Sequence, residues 1–164
     1  MQSSFDKVEQ VIERLGLQTP DFPCQELRLD RVMRHTMTRI TGKLNERLQH
    51  FDINDSIWYA LLVLYVQPER ALYPSDISEV LHTSRTHASR ISHEVEKNGW
   101  VLKLPCVEDR RKTRLKLTRA GVAFIESVIP RTLFKLDEQW NVFSLREKDL
   151  LEQILRKLLL VRHY

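Results

Sequence analysis

Residues 84–97 carry the side chains whose types and spacing point to chemistry. On a wheel of 100° per residue, Ala88, Ile91 and Val95 fall on one side. Thr86, Ser89, Arg90, His93 and Lys97 fall on the other, with Arg85 on the flank. Arginine reads guanine edges, serine and threonine meet several base edges, and lysine neutralises phosphate. The expected action is recognition of a nucleic-acid groove, with Ser84 among the DNA-contacting residues and Arg85, Thr86, Ser89 and Arg90 nearest the bases. An ordinary surface helix is the plain alternative, but it would mix more acid into its polar face. A second cluster follows at Asp109, Arg110, Arg111 and Lys112, with Arg114 just beyond. So many cations on one short loop repel each other unless an anion is present. A thin loop bearing arginine suits the narrow minor groove.

The elements needed to position these residues are legible on either side. Pro74 opens a short helix to about Leu81, and Thr83 or Ser84 caps the next, which Gly99 stops. Two short strands are expected at Trp100–Val107 and Thr113–Leu117, the second alternating with period two. Helix, tight turn, helix and basic hairpin is the plan of a winged helix-turn-helix. Before it, the spacing predicts a helix over about Phe5–Leu15, ended by Gly16. A long helix follows from Cys24 to Gln49, then an apolar one from Asp55 to Gln67 capped by Asn54. After it, Thr118 caps a helix that Pro130 should end or kink, and Ser144 with Glu147 forms a capping box for the terminal helix.

Composition fits this plan. The chain has 164 residues, 42% hydrophobic and 29% charged, with only 4 glycines and 6 prolines. That suits one mainly α domain with a small β wing and excludes disorder and an all-β sandwich. The net charge of +4 is local: residues 82–121 carry +6 and the rest −2. Such a concentrated basic segment is the footprint of a polyanion-binding surface. The longest apolar run, Ile57 to Val66, is too short to span a bilayer, and the first residues lack a signal-peptide layout. A cytoplasmic protein without a membrane partner is expected. Cys24 and Cys106 are too few for a disulfide framework, and Cys24 reads as a small buried residue.

Three motifs resemble the MarR family of transcriptional regulators: Ser84-Arg85-Thr86, Glu96-Lys97-Asn98-Gly99-Trp100, and Asp109-Arg110-Arg111 followed by Leu115-Lys116-Leu117-Thr118-Arg119-Ala120-Gly121. The additional N-terminal helix and Asp21-Phe22-Pro23 look like the efflux-pump-repressor branch of that family. The resemblance implies a homodimer on a pseudo-palindromic double-stranded DNA operator. It assigns dimerisation to helices in 1–50 and 119–164, and DNA binding to the winged module in 54–118. It further implies that Arg111 enters the minor groove, oriented by Asp109, and that a small aromatic effector binds between the modules. His35, Trp58 and Tyr59 are the candidates to line that cleft, although aromatics on an apolar helix are usually core.

Independently of the resemblance, the apolar stripe Leu151, Ile154, Leu155, Leu158 and Leu159 asks for a partner surface. None of the six histidines pairs with another His or Cys at ligand spacing, so neither a metal nor a cofactor is expected. No phosphate loop, nucleophile elbow or zinc-protease motif suggests an enzyme. The leading function is a sequence-specific DNA-binding repressor released by a small aromatic molecule. The alternatives are an effector-independent regulator of motility or adhesion genes and a winged-helix protein–protein module.

Overall fold

The computed structural model describes residues 5–105 and 113–161. Helix α1 (Asp6–Gln18) packs on the 25-residue α2 (Cys24–Leu48), which runs into a 3-10 turn at Gln49–Phe51. Helix α3 (Asp55–Val66) starts where Asn54 accepts a hydrogen bond from the Ile57 amide at 3.0 Å, the expected cap. A two-residue strand β1 (Ala71–Leu72), α4 (Pro74–Val80) and α5 (Arg85–Lys97) follow. The hairpin β2 (Val101–Pro105) and β3 (Thr113–Leu117) leads into α6 (Arg119–Thr132), the short α7 (Asp137–Trp140) and α8 (Leu145–Leu159).

The three strands form one antiparallel sheet in the order β1-β3-β2. Pairing runs from Val101 opposite Leu117 to Pro105 opposite Thr113, while Ala71 faces Lys116 on the other edge of β3. One hydrophobic core joins these elements. Leu48 from α2, Trp58, Leu61 and Leu64 from α3, Val95 from α5, Leu115 from β3 and Ile125 and Val128 from α6 all lie within it. Helix α6 thus shares its core with the winged module.

Two helix ends differ from expectation. Helix α1 continues past Gly16 to Gln18, because Gly16 serves a close approach and not a cap: a Cβ there would lie 2.5 Å from Cys24 Sγ. Helix α6 likewise continues past Pro130 for two residues before tightening into a 3-10 turn at Leu133–Lys135. Pro130 is exposed near the helix end, where losing one donor is tolerated. The Ser144–Glu147 capping box is present, with Glu147 Oε2 accepting from the Ser144 amide at 2.8 Å. Among the described residues, no helix is long and apolar enough to cross a membrane.

Candidate nucleic-acid interface

The helix-turn-helix geometry begins with local caps. Asp76 Oδ2 accepts from the Tyr73 amide at 2.9 Å and fixes the start of α4. The turn between α4 and α5 places His82 in the left-handed region at φ 46°, and the Thr83 amide returns to the Ser78 carbonyl at 3.0 Å. Ser84 then caps α5, its Oγ accepting from the His87 amide at 3.2 Å. Gly99, at φ +73°, closes the far end as expected.

Burial divides α5 as the wheel predicts. Ala88, Ile91 and Val95 enter the core, and Ser92 joins them by donating its hydroxyl to the Ala88 carbonyl at 2.7 Å. Ser84, Arg85, Thr86, Ser89, Arg90, His93 and Lys97 are all exposed on the other side. Ser89, Arg90, His93, Lys97 and Asn98 border an open groove of about 630 Å³. Two acidic residues complete that border, Glu94 and Asp52. Asp52, which sequence reasoning overlooked, arrives from the turn before α3 with φ 55°. These carboxylates set negative charge beside Arg90, His93 and Lys97 along the same border.

The hairpin is braced from several sides. Thr118 Oγ1 donates to the Gly99 carbonyl at 2.8 Å and accepts from the Gly121 amide at 2.9 Å, tying the end of α5 to the start of α6. Trp100 stacks on Phe124 with centroids 4.1 Å apart, and Lys103 pairs with Glu96 between β2 and α5. Arg114, read from sequence as part of the basic tip, is instead held by Glu69 at 2.9 Å and lies 5.7 Å from the Tyr73 ring centre. It belongs to the base of the hairpin. Asp109, Arg110, Arg111 and Lys112 lie outside the described residues, as does Cys106.

The proposed effector cleft is not assembled as expected. Trp58 is buried in the core, while its neighbour Tyr59 is about half exposed. Consecutive helical residues project about 100° apart, so these two cannot line one wall. His35 borders a different cavity, between α2 and the α7–α8 segment, lined also by Arg39, Lys43, Trp140 and Phe143. That cavity was missed, although His35, Arg39 and Lys43 share a four-residue spacing visible in the sequence. Cys24 is half-buried between α1 and α2, its thiol 3.9 Å from the Ile12 carbonyl. No group of three potential metal ligands occurs among the described residues.

Comparison with known proteins places this geometry. The MarR family profile matches residues 53–113, the winged module. The transcriptional repressor MprA of Escherichia coli K12 is 38% identical over 159 residues, 97% of this chain and 90% of that protein. The crystal structure of a cysteine-to-serine mutant of E. coli MarR has a TM-score of 0.65 at 26% identity, covering 80% of this chain and 96% of its own. The same mutant complexed with operator DNA matches in fold with a TM-score of 0.75 at 24% identity, covering 85% of this chain and 99% of its own. An identity of 38% across nearly the whole of both chains shows that this protein belongs to the MarR family.

Proposed function

We propose that this protein is a homodimeric transcriptional repressor that binds a pseudo-palindromic DNA operator through α5 and the wing. The observation that carries the reading is the one-sided burial of α5, which leaves Arg90, Ser89, Thr86 and Lys97 together on an exposed, capped and braced helix. An α-helix fits the major groove, about 12 Å wide, and its N-terminal side chains reach base edges. In this reading Arg85, Thr86, Ser89 and Arg90 read bases, while Lys97 and His93 hold the backbone. Asp109, Arg110, Arg111 and Lys112 extend the contact to the flanking minor groove. The names of MprA and of the operator complex agree with this role.

The dimer is supported by apolar surface that the chain does not cover. Leu150, Ile154, Leu155, Leu158 and Leu159 of α8 are all exposed, as are Met33 and Met37 of α2 and Val11 of α1. A soluble chain rarely leaves so large a patch to water. Two-fold packing of these helices would hide it and set two α5 helices about one turn of DNA apart, roughly 34–36 Å. A cytoplasmic location follows from this role.

Selection of bound sequences from a random duplex pool tests the reading, combined with sedimentation of the free protein. A dimer that enriches a pseudo-palindrome is expected. Affinity should drop by roughly 10³–10⁵ between 50 and 200 mM salt if 6–10 phosphates are neutralised. A monomer at micromolar concentration, or a pool without a shared sequence, overturns it.

A further inference from the structure

We propose that Arg114 positions the wing for DNA recognition without touching DNA itself. On the reading above that the wing enters the minor groove, on which this inference rests, its contacts with Glu69 and Tyr73 set the angle of entry.

The sheet changes character at this residue. Strand β1 pairs with β3 through Ala71 opposite Lys116 and Leu72 opposite Leu115, and the Leu117 amide donates to the Arg70 carbonyl at 2.9 Å. Beyond Leu115, Arg114 and Thr113 have a strand partner on one side alone among the described residues, Leu104 and Pro105 of β2. Three strands thus narrow to two at Arg114. A two-stranded ribbon twists more and holds its shape less well than a wider sheet. The cations assigned to the minor groove, Arg110, Arg111 and Lys112, come just before this point in the sequence. Whatever fixes the ribbon at Arg114 therefore fixes their approach.

Side-chain contacts fill the place that β1 leaves open. Arg114 Nη2 donates to Glu69 Oε2 at 2.9 Å, and Glu69 stands two residues before β1. The guanidinium carbon lies 5.7 Å from the centre of the Tyr73 ring, at the start of α4. Arg114 so ties the hairpin to the junction that leads into the helix-turn-helix. Its Nε is enclosed with no hydrogen-bond partner among the described residues. An arginine extended into water would satisfy that donor, so packing on the sheet sets the course of this one. On the other strand, Lys103 pairs with Glu96 of α5. Each strand of the ribbon is thereby held to the helix-turn-helix by one ion pair.

The sign of one substitution separates this role from a direct DNA contact. Glu69→Gln removes a negative charge from a protein that binds a polyanion, which by charge alone strengthens binding. Positioning predicts the reverse, because the guanidinium loses its anchor.

Fluorescence-anisotropy titrations of the full chain provide the test, on two duplexes with the selected half-sites and either A·T or G·C flanks. Glu69→Gln and Arg114→Gln should each lose about three- to fivefold on A·T flanks, the upper range for an exposed pair, and change little on G·C flanks. The double variant Glu69→Gln/Arg114→Gln should lose no more than either alone. Melting temperatures should stay near the parent's, since Glu69 is exposed and such pairs add little to stability. Arg111→Ala should erase the preference for A·T flanks. No such preference in the parent, or one that survives Arg111→Ala, overturns the minor-groove reading and the proposal with it. With that preference present and erased as expected, a Glu69→Gln variant that binds as tightly as the parent overturns the proposal alone, as do additive losses in the double variant.

Discussion

Gly121 and Trp100 approach so closely that a Cβ on Gly121 would lie 2.2 Å from the Trp100 carbonyl oxygen. That contact locks the first turn of α6 beneath the junction between α5 and β2. Gly121→Ala must therefore push backbone against backbone, a form of overpacking that typically costs about 1–3 kcal/mol. Urea denaturation should show that loss, together with weaker DNA binding as the wing shifts. An unchanged midpoint would mean that the junction yields without strain.

Base reading and backbone holding separate in substitutions on α5. Arg90→Ala is expected to cost about 1–3 kcal/mol on the selected operator and to relax preference at particular positions. Lys97→Ala should weaken selected and random DNA alike and lower the salt slope by about 1. Parallel titrations on both DNAs over a range of salt check this. If the two variants lose selected and random DNA in equal proportion, α5 is not reading bases.

Ser84 contributes through the helix it caps. Ser84→Ala removes the acceptor for the His87 amide, an exchange worth roughly 0.5–2 kcal/mol at helix N-caps. Ser84→Gly should cost only a few tenths of a kcal/mol by the same comparison. Thermal melts of the three proteins rank them, and an Ala variant as stable as the parent would remove the cap from the account.

Trp58 is buried with its indole Nε1 unpartnered among the described residues. Trp58→Phe removes that unanswered donor while losing some volume, so the two effects oppose each other and a net cost under ~1.5 kcal/mol is expected. Trp58→Ala leaves a large cavity and should cost about 3–5 kcal/mol. Chemical denaturation distinguishes the pair. A Phe variant as damaged as the Ala variant would show that the indole nitrogen has a bound partner.

The capping box of α8 makes one pH-dependent contribution. Hydrogen bonds from the Ser144 side chain and then its backbone hold the Glu147 carboxyl below its ordinary range. A depressed folded-state value means that the contribution is complete above the unfolded carboxylate range and is lost as pH falls through the folded value. The difference in melting temperature between parent and Glu147→Ala should therefore be present at neutral pH and shrink toward strongly acidic pH. A constant difference would assign the box to helix propensity alone.

Local chemistry made most of the architecture legible. Asn54, Ser84, Thr118 and Ser144 each cap the helix expected of them, because an N-cap is decided by one side chain and the amides next to it. The outward face of α5 was equally readable, since periodicity and charge agree there. Strand β1 was not, for two residues carry no period; it exists because β3 offers an open edge beside Ala71. The role of Gly16 was hidden by its neighbour in space, Cys24, which lies eight positions away in sequence. Arg114 was misplaced for the same reason: its partner Glu69, 45 positions earlier, sits just before the neighbouring strand β1. The cavity beside His35 needed Trp140 and Phe143, about a hundred residues downstream, and no periodicity links such distant segments.

Helix α2 has a mechanical consequence. Its 25 residues span about 37 Å at the usual rise per residue. One end enters the core with Leu48, while the exposed methionines and the cavity wall of His35, Arg39 and Lys43 lie along the rest. A tilt of about 5° in such a rod moves its tip by roughly 3 Å, close to the rise of one DNA base pair along a strand. Two rods joined at the ends away from the core would act as a caliper, in which a small change of angle at the pivot decides whether both jaws meet the DNA in register.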